Sequence, residues 1–168
     1  MHKVKLEQPI KIPFIMEVNM NCNINKFYDD EQLVFGWASV SKDAKGNRPL
    51  DWHGDLIDVE DLEKAVYDFV LNFGESNEMH KANSTNGKLV ESVVFTKEKM
   101  KAMGIPEGVV PEGWWVAFHI EDREVYHKVK SGVYKMFSIE GSAQQLEVDD
   151  EPLIDYSQGG FQDGKEVD

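Results

Sequence analysis

Ser138 sits in the run Met136-Phe137-Ser138-Ile139-Glu140-Gly141. A serine hydroxyl becomes a useful nucleophile when a base stands ready to take its proton. Most strand serines only make local hydrogen bonds, so the assignment turns on finding that base. Of the five histidines, His2 is close to the first residue, His119 lies in an apolar run and His127 in a helical one. The last two read as structural, hydrogen-bonded histidines. His80 differs, because it opens a predicted hairpin beside Lys81 and a polar turn. It is the candidate general base.

That hairpin consists of Glu78 to Lys81 and Lys88 to Phe95 around the turn-rich segment Ala82 to Gly87. A turn centred on Ser84 to Gly87 places His80 opposite Glu91, with Cβ atoms about 4.5–5.5 Å apart. A carboxylate there could hold the imidazole in one tautomer and stabilise the imidazolium. A slip of one residue would bring Ser92 opposite instead and turn Glu91 away. An ordinary surface cross-strand pair is the competing reading.

The second cluster is Asp51-Trp52-His53-Gly54-Asp55. Two carboxylates and an imidazole could ligate a divalent metal, which would make Asp51, His53 and Asp55 the centre of a metal-dependent hydrolase. Asp and Gly ahead of a helix more often form a capped turn, and the turn is the reading adopted. Cys22 is the one cysteine, so no intramolecular disulfide can form. With no His or Lys beside it, it reads as an inert thiol.

The elements that must carry these residues follow from periodicity and punctuation. Ile10 to Val18 alternates and contains Pro13, suggesting an edge strand. Asn19 to Asp30 reads as a polar turn. Leu33 to Val40 is a predicted strand in which Gly36 marks a bulge or close approach. Asp58 is placed to cap a helix whose stripe Leu62, Ala65, Val66, Phe69, Val70 and Phe73 faces the core. Gly74 ends it. Thr96 caps a short helix, Lys97 to Met103, and Gly104 to Gly113 is a loop that could border a groove or be plain surface. Trp114 to Ile120 is a strand. Asp122 caps a helix to Ser131, stopped by Gly132. Val133 to Glu140 and Ala143 to Val148 are further strands. Strands and helices do not alternate regularly, which argues against a doubly wound parallel sheet. The expectation is an α+β, mostly β fold: an antiparallel barrel of about six or seven strands with a few helices around it. Three stretches are expected: residues 1–30 as an N-terminal strand and polar segment, 31–150 as the barrel domain, 151–168 as an acidic tail.

The net charge of −13 comes from 31 acidic and 18 basic residues. Nucleic-acid binding and attraction to an anionic membrane need the opposite balance. A hydrophobic fraction of 41%, with 11% aromatic residues, supplies one core. No apolar run reaches the roughly 20 residues of a membrane span, and the first residues lack a signal-peptide core. A soluble intracellular protein is expected.

Several strings match a known pattern together: Val34-Phe35-Gly36-Trp37-Ala38, Asp51 to Ile57, Met79-His80-Lys81, Glu91-Ser92, Gly113-Trp114-Trp115-Val116 and Phe137 to Gly141. Over roughly residues 30–148 the chain resembles the XkdF-like branch of phage prohead proteases, which is related to the herpesvirus assemblin β-barrel. The resemblance implies Ser138 as nucleophile and His80 as base. Assemblins use a second histidine after the serine. This chain has none after His127, so Glu91 is taken as the third member from the hairpin register, with Glu147 as the fallback. The implied activity is cofactor-free cleavage of phage scaffold and major capsid protein segments, and of the chain itself, inside the assembling procapsid in the host cytoplasm. The enzyme could act as monomer or homodimer. The alternative is a catalytically inactive assembly module of the same fold.

Overall fold

The computed structural model describes residues 2–15, 24–50, 55–78, 87–147 and 153–154. Its central element is the long strand β1, His2–Ile15. The further strands are β2 (Ile24–Tyr28), β3 (Leu33–Lys42), β4 (Arg48–Pro49), β5 (Asp55–Ile57), β6 (Glu75–Glu78), β7 (Gly87–Phe95), β8 (Glu112–Ile120), β9 (Met136–Phe137), β10 (Glu140–Glu147) and β11 (Leu153–Ile154). The helices are α1 (Val59–Asn72), α2 (Lys97–Ala102) and α3 (Arg123–Lys130). The main sheet runs β10-β1-β6-β7-β8-β3-β2, and β5 and β9 also pair with β1. Pairing in this sheet is antiparallel except that β5 and β6 run parallel to β1, and β11 pairs parallel with β4 in a separate two-stranded sheet.

Alternation explains the core. On β8, Trp114, Val116, Phe118 and Ile120 are fully buried, while Trp115 and His119 between them are half-buried. Successive strand residues point to opposite faces, so one apolar set enters the core. Against it lies α1, with Val59, Leu62, Ala65, Val66 and Phe69 buried. The Phe69 and Trp114 rings meet edge to face at 5.5 Å, and Phe118 meets Phe137 at 5.6 Å. The Trp114 indole N–H donates to Ser92 Oγ at 2.9 Å, so the largest buried ring leaves no donor stranded. Truncating Phe69 to alanine is expected to cost about 3–5 kcal/mol, read as a lower denaturation midpoint. The predicted helical stripe was too long: Val70 and Phe73 are exposed, because the α1 face turns away from the sheet in its last turn. Gly74 does end the helix, with φ of +65° and its N–H on the Phe69 carbonyl.

Asp58 precedes α1 but makes no side-chain cap. Its carboxylate instead accepts from Arg48 at 2.5 Å and from Lys3, tying β4 and β1 to the helix start. Burial pushes the carboxyl up, but the hydrogen bonds from Lys3 and Arg48 outweigh it and hold the group below its ordinary 3.8. A carboxyl depressed on folding stabilises above its unfolded pKa, and that stability disappears as pH falls through the folded value. Asp58→Ala is therefore expected to cost about 1–3 kcal/mol at neutral pH. The gap between variant and wild type should narrow on acidification below pH 3.8, as followed by urea midpoints. The other predicted caps are observed: Thr96 Oγ1 accepts from the Lys99 N–H, and Asp122 from those of Glu124 and Val125.

Four expectations differ from the structure. Among the described residues the sheet does not close into a barrel. Among the described residues, one backbone hydrogen bond, Ile24 N–H to Lys135 C=O at 3.0 Å, bridges β2 and the residue before β9, and a β9 of two residues offers no ladder for more. The polar stretch before Asp30 contains strand β2, which pairs with β3. The Pro13 segment is no edge strand, since β1 is paired along both sides. In the segment expected to be a tail, Leu153–Ile154 pairs with β4. Cys22, Asp51 and His53 lie outside the described residues, while Asp55 lies on β5 opposite His2. No described helix is long and apolar enough to cross a membrane.

Candidate functional site

Ser138 and Ile139 form a two-residue interruption between β9 and β10. The register of β1 is the same on both sides of it: Lys11 faces Glu140, Phe14 faces Phe137 and Ile15 faces Met136. The two strands are thus one strand broken at the serine, and continuing the register sets Ser138 opposite Pro13 and Ile139 opposite Ile12. Phe137 is fully buried and Ile139 packs against the core. Alternation puts Ser138 on the other face of the sheet, where it is half-buried. Half-burial leaves the Ser138 hydroxyl partly accessible at the break, next to Met136 and Phe137, which are both buried.

The chain reaches β9 from α3 through a tight exit. Gly132 takes φ of +75°, and the Lys128 carbonyl accepts from both Val133 and Tyr134 N–H. The helix itself is anchored by Asp29, which accepts from the Tyr126 hydroxyl at 2.8 Å and from Lys130 at 2.5 Å. Burial, then the bond to Asp29, pushes the Tyr126 hydroxyl up to about 12, so it stays a donor at any working pH.

His80 lies outside the described residues. The strand that leads to it does not. β6 flanks β1 on the side opposite β9, and Phe14 is level with both Glu78 and Phe137. Two strand spacings separate Glu78 from Phe137, about 10 Å between backbones. The topology therefore brings the strand preceding His80 and the strand preceding Ser138 to the same level on either side of β1.

The hairpin expectation for Glu91 is overturned. With His80 opposite Glu91, Ser76 would face Phe95, whereas the ladder pairs Ser76 with Gly87 and Glu75 with Lys88. Glu91 is exposed, faces Ala117 on β8 and follows a bulge at Val90. The register shifts because β6 starts directly after Gly74, with the Leu89 N–H bonded to the Gly74 carbonyl, and not at Glu78. Glu147 fares no better: it pairs with His2 at the far end of β10, about 30 Å along the strand from Ser138. The Gly104 to Gly113 loop lies beyond the Phe95 end of β7, whereas β6 meets its Gly87 end. His119 is half-buried between Leu33 and Lys88, and His127 is exposed on α3. Among the described residues no group of three or more His, Cys, Asp or Glu could hold a metal ion. Sequence reasoning missed Pro13 as the residue facing the serine. Its signal was a proline within an alternating apolar stretch.

Comparison with known proteins gives three findings. The family model described as "Putative phage serine protease XkdF" matches residues 21–147. The Phage-like element PBSX protein XkdF of Bacillus subtilis (strain 168) is 30% identical over 125 residues, which cover 74% of this chain and 41% of that protein. Uncharacterized protein YqbD of the same strain is 25% identical over 125 residues, covering 74% of this chain and 36% of that protein. The chain thus spans about two fifths of the length of these relatives. No solved structure matches. A family match that runs from ahead of β2 to the last residue of β10 takes in the interrupted strand and β6 alike, and the chain belongs to the XkdF family of phage proteins.

Proposed function

We propose that this chain is a serine endopeptidase of phage capsid maturation, with Ser138 as nucleophile and His80 as general base. The observation that carries the reading is the half-buried Ser138 at a strand break, level across β1 with the strand that leads to His80. Ser138 Oγ attacks the scissile carbonyl while its proton passes to the His80 imidazole. The C–N bond then breaks and the imidazolium protonates the leaving amine. Water, deprotonated by the same imidazole, attacks the acyl-enzyme and releases the acid. Glu91 is left out of this mechanism, since the register that favoured it is not the one observed. The substrates are scaffold and major capsid protein segments of the assembling procapsid, and segments of the chain itself.

The test is co-expression with the cognate scaffold and capsid proteins, read by mass spectrometry. Wild type should generate new termini in the presence of a chelator, and Ser138→Ala should generate none. Equal cleavage by Ser138→Ala overturns the nucleophile. Loss of cleavage on chelation points to a metal-dependent hydrolase. A folded wild type that cleaves nothing favours a non-catalytic assembly module.

A further inference from the structure

Strand β1 holds β6 on one side and β9 and β10 on the other, and its residues bond alternately to the two sides. The parallel ladder with β6 runs over Ile12, Pro13 and Phe14. It needs the N–H groups of Ile12 and Phe14 but none from residue 13, which suits a proline. Lys11, Pro13 and Ile15 therefore turn their backbone groups toward β9 and β10. Lys11 and Ile15 are paired there. Pro13 has no N–H to give, and the carbonyl that would receive it belongs to Ser138. One missing donor removes both the Pro13–Ser138 and the Ile12–Ile139 pairings, which is the width of the observed gap. A second irregularity follows at once: the register shifts between Glu7 and Lys11, around Pro9 and opposite Gly141. Irregularities of this kind re-aim side chains and end pairing beside active sites.

We propose that Pro13 is a positioning residue for Ser138: by withholding a ladder hydrogen bond from the Ser138 carbonyl, it releases the Ser138–Ile139 backbone from flat strand geometry and sets the angle at which Oγ is presented. The inference rests on the reading of Ser138 as nucleophile. A serine clamped by both backbone groups would hold its hydroxyl where the pleat puts it, and misplacement by about 1 Å is enough to slow a reaction by about a hundredfold.

The experiment uses the full chain and a serine-directed fluorophosphonate, with labelling rates for wild type, Ser138→Ala, Pro13→Ala and a chain carrying N-methylalanine at position 13. The last is accessible by ligating a synthetic 1–21 thioester to a 22–168 fragment that begins at Cys22. N-methylalanine lacks both the ring and the N–H, so it separates the missing donor from ring packing. Pro13→Ala is expected to label at least about tenfold more slowly, with its new amide protected from hydrogen exchange like those of Lys11 and Ile15. The N-methylalanine chain should label at the wild-type rate. An unprotected amide at position 13, or wild-type labelling of Pro13→Ala while Ser138→Ala stays inert, overturns the role of Pro13 and leaves the nucleophile standing. Slow labelling of the N-methylalanine chain also overturns it, and this arm decides should Pro13→Ala fail to fold. Labelling of Ser138→Ala at the wild-type rate, or no labelling of wild type, overturns the nucleophile and the inference with it.

Discussion

Replacing His80 by alanine is expected to slow acylation of Ser138 by about 10⁴–10⁶-fold, and the double variant Ser138→Ala/His80→Ala to be no slower than Ser138→Ala alone. A serine hydroxyl and its base act as one unit: without the base, attack requires an alcohol to lose its proton to water in the same step. The residual rate then comes from binding and from backbone donors to the developing oxyanion. The geometry adds a second readout. His80 follows β6, a strand held between β1 and β7, and a role confined to proton transfer leaves the folded state intact. The melting temperature of His80→Ala should stay near that of wild type, and added imidazole should restore part of the rate. A variant that loses activity together with its thermal transition would assign His80 to the fold and not to the chemistry. Rates that multiply in the double variant would mean that the two residues work separately.

The helices and the strands β3, β7 and β8 were legible in the sequence, because each is dictated by contacts close in the chain, whereas β1 was read only from Ile10 onward. Thr96 and Asp122 cap the helices they precede, Gly74 and Gly132 end theirs with positive φ, and the strand read over Trp114 to Ile120 is the main part of β8. Readings that needed a partner distant in sequence did less well. Pro13 implies an edge strand if proline is assumed to waste a ladder position. Here the wasted position coincides with a break in the neighbouring strand, and nothing local to Pro13 shows that Ser138 will be that neighbour. The hairpin register failed for a related reason. The turn residues from Ser84 to Gly87 are compatible with several pairings, and the one adopted is set by Gly74, where α1 ends and β6 begins. Asp58 has the residue type and position of a cap, but Lys3 and Arg48 compete for the same carboxylate as full charges, and charged donors bind it more strongly than a backbone N–H. The candidate site was half legible: residue types single out Ser138 and His80 as candidates, while the strand break at Ser138 is a property of the sheet.

Gly113→Ala is expected to cost about 3 kcal/mol of stability, the largest effect foreseen for adding a single methyl group. Gly113 opens the Gly-Trp-Trp-Val string and stands opposite Val40 on β3 and Phe95 on β7. A Cβ there would fall 2.9 Å from Val40 Cα and closer still to the Ser39 carbonyl oxygen. Both are backbone atoms, which cannot rotate aside as a side-chain terminus can. The crowding comes from β3, whose register with β8 shifts twice, between Trp37 and Ser39 and between Val40 and Lys42. Bulges bend a strand and increase its twist, and Gly113 lies opposite the residues between the two. The methyl group would therefore push apart β3 and β8, the strands that carry Val34, Ala38, Trp114 and Phe118 of the core. Gly104, with nothing within 4 Å of an added Cβ, supplies a contrast in which only its φ of +72° opposes substitution. That backbone penalty is of order 1–2 kcal/mol, so urea midpoints should fall in the order wild type, Gly104→Ala, Gly113→Ala. The reverse order would show that β3 and β8 can separate at little cost and that the Gly-Trp-Trp-Val string is held by something other than backbone approach.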